Sequence, residues 1–253
     1  MSMPFDNCIF WSKLENDSGY EIGNGLSEIG STNFAAGKWN LGLSNSQTSN
    51  CLRAEATEDI NPDNLFVEFY LRPSYNMING IPASGNKGYF MIGQNPVAGY
   101  NKIELYSVAG YCFNIHIEFS GDNYNSVCTP AALNMTAGNN YHFGFAFNRA
   151  GIAGTAETVQ IYFEKNKIWS DTHVYGPKVG SGFKAYIGAD FNDFSLDGVI
   201  DNFRLYNDTS AALINAIIAN KDNEGFPVSN TFRRGPVNYI NNFPFNRPFA
   251  RVE

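Results

Sequence analysis

Apolar and polar residues alternate in short runs along most of this chain, from residue 34 to about residue 206. In the run LFVEFYLR (65–72) every second residue, beginning with Leu65, is apolar. The same period of two recurs in YCFNIHIEF (111–119, beginning with Tyr111), YHFGFAFN (141–148), VQIYF (159–163) and VIDNFRLY (199–206). Successive side chains of a β-strand point to opposite faces, so the pattern predicts strands that bury one face and expose the other.

Turn-forming dipeptides separate these runs. They are Asn24-Gly25, Asn79-Gly80, Ser84-Gly85, Gly121-Asp122 and Gly138-Asn139. The composition agrees with many turns, since 24 glycines and 11 prolines accompany 21 phenylalanines and 14 tyrosines in 253 residues. Short strands separated by turns at this spacing predict an all-β, two-sheet antiparallel sandwich.

One segment has helical rather than strand periodicity. Three candidate capping residues at 208–210 (Asp-Thr-Ser) precede it, and Gly225 and Pro227 follow it. Its apolar residues form one stripe: Leu213, Ile214, Ile217 and Ile218. The pattern predicts a single short helix that ends near Gly225.

The charge of the chain opposes binding to nucleic acid over most of its surface. The formal charge is −7, with an isoelectric point near 5.0, and such a field repels phosphate groups. Residues 1–225 contain 13 basic and 23 acidic residues, whereas 226–253 contain four arginines and one glutamate, so the sign reverses at the end. We expect no nucleic-acid partner, and no membrane insertion because no run of about 18 apolar residues occurs.

Four cysteines, Cys8, Cys51, Cys112 and Cys128, allow either free thiols or two disulfides. The first residues, MSMPFDNCIFWSK, contain no basic segment followed by an apolar one. We therefore expect synthesis without a Sec signal peptide, and we favour free thiols. Two alternatives stay open: a mature exported protein, and a protein that reaches the outside by cell lysis, as virion proteins do.

The stretch SLDGVIDNFRLYNDTSAALINAII (195–218) combines a G-x-I-D-x-[VF]-R-[IL]-Y strand with the helix. It resembles the closing segment of the concanavalin A-like, LamG-type jelly-roll superfamily. Four earlier segments are similar to strands of that superfamily and occur in its order: GKWNLGLSNS (37–46), NLFVEFYLRPS (64–74), NNYHFGFAFNR (139–149) and VQIYFEKNKI (159–168). The resemblance covers residues 5–222 and implies two antiparallel sheets, one of them concave, with ligands on the concave face or at rim loops. Lectins, adhesion domains, glycosidases and virion proteins share this fold, so it implies no single activity.

Catalytic carboxylates of the glucanase type are not found in the sequence. Glucanases of this fold place two carboxylates about 5 Å apart on one strand, through E-x-D-x-E or E-x-D-x-x-E. Neither triplet occurs, and Glu68, Glu104 and Glu118 each lack a second acid on their strand. We expect a protein without catalytic activity, and a glycosidase only if folding brings two such acids, for example Glu68 and Glu118, to that separation.

Asp201 lies in the strongest motif of the chain. Strand alternation places it on the same face as Phe203 and Leu205, where an unpaired carboxylate would be costly. Two interpretations follow. Backbone amides of a loop or an arginine satisfy Asp201, which we favour; or, as the resemblance implies for some relatives, Asp201 and Asp197 bind a structural calcium ion.

Five aromatic residues fall in or beside predicted loops, where exposed rings can stack on sugars. They are Tyr75, Tyr89, Tyr100, Tyr124 and Trp169. These are the predicted ligand-binding residues, and a cell-surface glycan is the predicted ligand. The alternative is that the rings only cover the ends of the sandwich.

The segment 226–253 has neither period and mixes arginines with aromatic residues, which anchor many protein interfaces. The predicted anchors are Arg233, Arg234, Tyr239, Phe243, Phe245, Arg247, Phe249 and Arg251. We therefore divide the chain into a jelly-roll domain (1–225) and an extended basic and aromatic C-terminal arm (226–253). The arm is expected either to dock on another protein subunit, in a homo-oligomer or a virion, or to fold back on its own domain.

Taken together, the sequence predicts a concanavalin A-like jelly-roll sandwich with one short helix and an extended tail. The function that fits best is binding without catalysis, in a surface, decoration or fibre component of a bacteriophage virion that docks through its arm. A glycan-binding lectin or adhesion module is the alternative, and a glycoside hydrolase is third. We expect the protein at a virion or extracellular surface.

Overall fold

Two antiparallel sheets pack face to face, as the alternating sequence predicts. The structure, a computed structural model, describes residues 7–16, 19–45, 50–94, 101–119, 122–128, 130–178, 180–188 and 194–222. In chain order its strands are β1 (Cys8–Ser12), β2 (Gly25–Ile29), β3 (Asn33–Ala36), β4 (Leu41–Asn45), β5 (Cys51–Glu55), β6 (Asn64–Pro73), β7 (Met77–Ile78), β8 (Ile81–Pro82), β9 (Lys87–Gly93), β10 (Lys102–Val108), β11 (Cys112–Phe119), β12 (Asp122–Cys128), β13 (Tyr141–Asn148), β14 (Val159–Phe163), β15 (Asn166–Asp171), β16 (Lys184–Ile187) and β17 (Gly198–Tyr206). The helix α1 (Ala211–Asn220) follows the last strand.

The strand order of each sheet is that of interleaved rather than sequential strands. The eight-stranded sheet has the order β15-β14-β13-β6-β17-β4-β3, with β1 also paired to β17. The seven-stranded sheet has the order β12-β11-β10-β9-β16-β5-β2, and β7 and β8 form a separate hairpin. Neighbouring strands in space are therefore often distant in sequence, which brings residues from many segments to one face.

The core lies between the two sheets and is rich in phenylalanine. Phe69 of β6 is central, since its ring lies 5.5 Å from the ring of Phe143 and 6.0 Å from that of Phe90 in the opposite sheet. Alternate residues of each strand point away from this core and form what we call the outer face of each sheet. The predicted all-β sandwich is confirmed.

Several predicted strands match the structure closely. Strands β13 and β14 have the predicted bounds, 141–148 and 159–163, and β6 and β17 extend their predicted runs by a residue or two. Tyr111, which the alternation placed inside, is instead 61% exposed because β11 begins at the next residue, after the turn from β10. The period of two thus located the strand but not its first residue.

The helix lies on the outer face of the eight-stranded sheet. The Ser210 hydroxyl caps it and accepts a hydrogen bond from the amide of Leu213 (3.3 Å). Its buried side chains pack against Phe66 of β6 and are Leu213, Ile214 and Ile217. The predicted capped helix is confirmed, although it ends before the expected Gly225. No helix in the described residues has the length and hydropathy to cross a bilayer.

Parts of the sequence predictions fall beyond this description. The arm at 226–253, with its eight predicted anchors, and Tyr100 lie outside the described residues. All four cysteines are buried and unpaired. Burial raises the pKa of the Cys51 thiol to about 12, against a smaller opposing effect of Arg53.

Candidate functional site

Two of the five aromatic residues predicted to bind a ligand are buried. Tyr75 and Tyr89 are 5% and 1% exposed, and their hydroxyl oxygens lie 2.8 Å apart. The Tyr89 hydroxyl also lies 2.9 Å from that of Ser107, and burial raises the pKa of Tyr89 to about 12. Rings in the core cannot stack on a sugar, so the prediction is wrong for these two residues.

The next two predicted aromatics lie on strands rather than in loops. Tyr124 is on β12 and Trp169 on β15, and both are partly buried against the core. Tyr124 stacks on His173 with ring centres 4.0 Å apart and donates a hydrogen bond to Asp171. These contacts join the edge strands of the two sheets and cover one face of the Tyr124 ring, which fits a structural role at that edge better than sugar stacking.

Asp201 is held by backbone amides, in agreement with the interpretation favoured from the sequence. Its Oδ2 accepts hydrogen bonds from the amides of Lys38 (2.7 Å) and Trp39 (3.1 Å), in the turn between β3 and β4. The predicted orientation is wrong, however. The register of β17 shifts between Asp201 and Arg204, where Asn202 has a φ of +55°, and this bulge turns Asp201 to the outer face while Phe203 stays in the core.

Asp197 is bound by protein groups. Its Oδ2 lies 2.6 Å from Lys87 Nζ, and its Oδ1 accepts a 2.6 Å hydrogen bond from the Ser74 hydroxyl. Burial raises the pKa of Asp197, but the hydrogen bonds from Lys87 and Ser74 outweigh it and lower that pKa below its usual value. In the described part of the chain, no three His, Cys, Asp or Glu side chains group together to hold a metal ion. The predicted calcium site therefore has no ligand set among these residues.

The carboxylates of Glu68 and Glu118 are not brought together. Glu68 lies on the outer face of the eight-stranded sheet, between Val67 and Phe69 of the core, and Glu118 lies on the outer face of the seven-stranded sheet. The core, about 10 Å thick, separates them. The condition under which we would have predicted a glycosidase from this pair is not met.

Glu68 is instead the centre of a buried hydrogen-bonded group. One of its carboxylate oxygens accepts hydrogen bonds from Arg204 (3.0 Å) and the Tyr206 hydroxyl (2.8 Å), and the other lies 2.9 Å from His142 Nε2. Burial alone would raise the pKa of Glu68, but the Arg204 guanidinium and the hydrogen bond with His142 outweigh it and lower that pKa to about 2. All four side chains are buried, so this group stabilises the sheet and is closed to ligands.

A second glutamate–histidine group lies on the outer face of the seven-stranded sheet. In the register of β10 and β11, Lys102 is opposite Glu118 and Glu104 is opposite His116. Glu104 Oε2 lies 3.0 Å from Lys102 Nζ and 2.9 Å from His116 Nδ1, whereas Glu118 Oε2 lies 3.7 Å from His116 Nε2. The fold thus places His116 between two carboxylates that the sequence left isolated.

This second group fits neither hydrolysis nor a metal. A glycosidase needs one carboxyl group of raised pKa to act as the acid. Burial raises the pKa of Glu104, but the hydrogen bond with His116 and the charge of Lys102 outweigh it and lower that pKa. Glu104 is 0% and Glu118 5% exposed, so an oligosaccharide does not reach them. The two ring nitrogens of His116 face different carboxylates and cannot bind one ion together with both.

An open pocket of about 490 Å³ lies on the outer face of the eight-stranded sheet, and we call it the Arg72 pocket. Three neighbouring strands form its floor, because Val199 of β17 is opposite both Arg72 of β6 and Ser44 of β4. Ser74, Asp197 and the backbone at 137–138 line its sides. Ligand pockets commonly have volumes of about 300–1,000 Å³, so this pocket is large enough for a small saccharide or a similar molecule.

The geometry of Arg72 is fixed by two loops. Its Nε donates a hydrogen bond to the carbonyl of Gly138 (3.0 Å), and its Nη1 donates one to the carbonyl of Ala36 (2.8 Å). Sequence reasoning missed this residue and this pocket, because the lining comes from four separate segments of the chain. The available signals were an arginine at the polar end of a strand and the turn at Gly138.

Comparison with known proteins identifies the fold but no family. No family model matches this chain, and no curated protein matches its sequence. Domain 4 of AbnA, a GH43 extracellular arabinanase from Geobacillus stearothermophilus solved with arabinotriose, has a TM-score of 0.58 at 14% identity, over 83% of this chain and 97% of that domain. Trypanosoma rangeli sialidase has a TM-score of 0.58 at 11% identity, over 88% of this chain but 34% of the sialidase.

The receptor binding domain of botulinum neurotoxin C/D mosaic serotype gives a TM-score of 0.59 at 8% identity, over 85% of this chain and 52% of that domain. Identities this low show the fold alone, and the chain spans a third of the sialidase and half of the toxin domain. The LamG-type resemblance and the virion role stay predictions. The chain itself has the β-sandwich, jelly-roll-like architecture of lectin- and glucanase-like folds.

Proposed function

We propose that this chain is a binding module without catalytic activity, and that it holds a carbohydrate in the Arg72 pocket. The observation that supports the proposal is the pocket itself. It is open, it combines the side chains of Ser44, Ser74 and Arg72 with exposed backbone, and its floor is a rigid sheet rather than a loop. Pockets with a few fixed polar groups on a rigid frame are suited to ligands with several hydroxyl groups.

The acidic residues support binding rather than hydrolysis. Among the residues that line the pocket, Asp197 supplies the carboxylate, and Lys87 and Ser74 already bind both of its oxygens. The pairs that glycosidases use need a second carboxyl group about 5–10 Å away with access to the substrate. Glu104 and Glu118 are close together but buried on the other sheet.

A glycan array probed with the full-length chain, with and without calcium, tests the proposal. We expect binding to at least one oligosaccharide class. Ala137 is exposed and lines the pocket, so Ala137→Phe should fill it and weaken that binding about tenfold or more. Ala132→Phe is the matched control, since Ala132 is exposed in the same loop and does not line the pocket. A silent array, or equal binding by the two variants, contradicts the proposal.

A second candidate function is attachment to other protein subunits through the arm, 226–253. Its support is the reversal of charge, from 13 basic and 23 acidic residues before the arm to four arginines and one glutamate within it. A virion or extracellular surface is the setting that this proposal implies. Light scattering of the full-length chain and of a chain ending at residue 225, at matched concentrations, tests it. An oligomer that becomes monomeric on truncation supports attachment through the arm, and two monomers contradict it.

A further inference from the structure

Arg72 differs from the other arginines of the described residues in its partners. Each of the others lies within 4 Å of a carboxylate oxygen: Arg53 with Glu55 (3.8 Å), Arg149 with Asp63 (3.3 Å) and Arg204 with Glu68 (3.0 Å). Within the described ranges, Arg72 forms no ion pair, and its hydrogen bonds go to two neutral carbonyl groups. The positive charge of Arg72 is therefore uncompensated by protein.

The acid nearest in role, Asp197, does not change this balance. Its carboxylate lines the same pocket, but the ammonium group of Lys87 lies 2.6 Å from one of its oxygens. Lys87 and Asp197 neutralise each other, which leaves the charge of Arg72 in excess. A fixed cation at an open pocket attracts an anion even though the chain as a whole carries a charge of −7.

The guanidinium group also has donors to spare. Arginine has five N–H donors, and the carbonyls of Gly138 and Ala36 accept from two of its nitrogens. These two hydrogen bonds hold the plane of the group in place without satisfying its charge. A guanidinium group that is oriented in advance can bind a carboxylate or sulfate through two parallel hydrogen bonds at a low cost in side-chain entropy.

We infer that the Arg72 pocket binds an acidic saccharide, whose carboxylate or sulfate group is held by the Arg72 guanidinium. The inference rests on the proposed carbohydrate-binding function and names its ligand class. The hydroxyl groups of Ser44 and Ser74 are placed to bind the neutral part of such a ligand. Because charge drives the recognition, affinity should fall as salt concentration rises.

The test measures the affinity of the full-length chain by calorimetry at low and high salt. The probes are an oligogalacturonate, which carries carboxylates; a carrageenan oligosaccharide, which carries sulfates; and a neutral cello-oligosaccharide. We expect at least one acidic probe to bind more tightly than the neutral one, and the better of the two identifies the group. Arg72→Gln should weaken its binding about tenfold to a hundredfold, the size expected for hydrogen bonds to a charged group.

Two further variants complete the design. Arg149→Gln removes a half-exposed arginine that already pairs with Asp63, and should leave acidic binding unchanged. Arg72→Lys keeps the charge but loses the paired hydrogen bonds, so its affinity should lie between those of the wild type and Arg72→Gln. If Arg72→Gln does not fold, Ala137→Phe decides with the acidic probes, since loss of salt-dependent binding supports the inference and retention of it overturns the inference.

The outcomes separate this inference from the proposed function. Equal binding of the acidic probes by the wild type and Arg72→Gln overturns the inference. So does a neutral glycan that binds and is lost in Ala137→Phe while the acidic probes do not bind, although the chain would then still be a carbohydrate-binding module. Failure to bind any glycan overturns the proposed function itself.

Discussion

The two outer faces of the sandwich each hold a buried glutamate–histidine pair, and the pairs differ in the balance of their charge. On the eight-stranded sheet, Glu68 and His142 are joined by Arg204, so one anion meets one permanent cation. On the seven-stranded sheet, Glu104 and His116 are joined by Lys102 and by a second anion, Glu118. The same pair of residue types is thus neutralised on one face and has excess negative charge on the other.

The surroundings of the two pairs explain the difference. Tyr206 adds a third donor to Glu68, and both residues lie on the face that α1 covers, where an unbalanced charge would be costly. Glu118, by contrast, has a single ionic contact in the described part of the chain, at 3.7 Å from His116. The comparison teaches that burial by itself does not decide how an ionic group behaves; the number of donors and cations around each carboxylate does.

The largest effect is expected for Glu68→Gln. The substitution keeps the shape of the side chain but leaves the buried Arg204 without its carboxylate. Loss of one partner of a buried ion pair destabilises proteins by about 3–5 kcal/mol, because the other charge stays buried and uncompensated. Urea unfolding followed by circular dichroism measures the free energy of unfolding.

The control for this prediction is Glu21→Gln. Glu21 lies 4.0 Å from Lys13 with about half of its side chain exposed, and exposed pairs of this kind contribute about 0–1 kcal/mol. A loss in Glu68→Gln no larger than the loss in Glu21→Gln would mean that the carboxylate on the α1 side does not balance Arg204.

The dependence of stability on pH should follow from the same carboxyl group. Its pKa is about 2 in the folded chain against 4.5 for an ordinary glutamate. A lowered pKa contributes stability that is complete above the ordinary value and is lost as pH falls toward the folded value. Between pH 4.5 and pH 2, Glu68 should therefore remove up to about 1.4 kcal/mol of unfolding free energy per pH unit.

Glu68→Gln lacks this carboxyl group, so the gap in unfolding free energy between the variant and the wild type should narrow through that range. Urea titrations at several values between pH 5 and pH 3 measure the gap. Other acids of lowered pKa, such as Glu104 and Asp197, titrate in both proteins and cancel in the difference. A gap that stays constant with pH would show that Glu68 is not ionised in this way.

The fold could be predicted from the sequence to a much greater extent than the sites. Strands β13 and β14 and the Ser210 cap were predicted because they depend on local period and local hydrogen bonds. The orientation of Asp201 was not, because one bulge near Asn202 reverses the alternation that a pattern assumes to continue. Tyr75 and Tyr89 were placed in loops by their neighbours along the chain, although their burial depends on strands that pack over them.

The candidate site needed contacts that only pairing between distant strands creates. Ser44, Arg72 and Val199 meet because β4, β17 and β6 are neighbours in one sheet, an order that no local pattern encodes. Glu104 and Glu118 likewise meet through the register of β10 and β11. A shift of one residue in that register would move Glu118 to the core face, so the site depends on a quantity to which the sequence pattern is blind.

The smallest effect, and the most informative about the second face, is expected for Glu118→Gln. The variant removes one of two like charges beside His116 and leaves the contacts of Glu104 with Lys102 and His116 intact. We expect the free energy of unfolding to change by less than about 1 kcal/mol. Glu104→Gln, made as the matched variant, breaks both of those buried contacts and should cost about 1–3 kcal/mol. Equal losses in the two variants would mean that the two carboxylates share the stabilisation, and that the negative charge of this face is balanced after all.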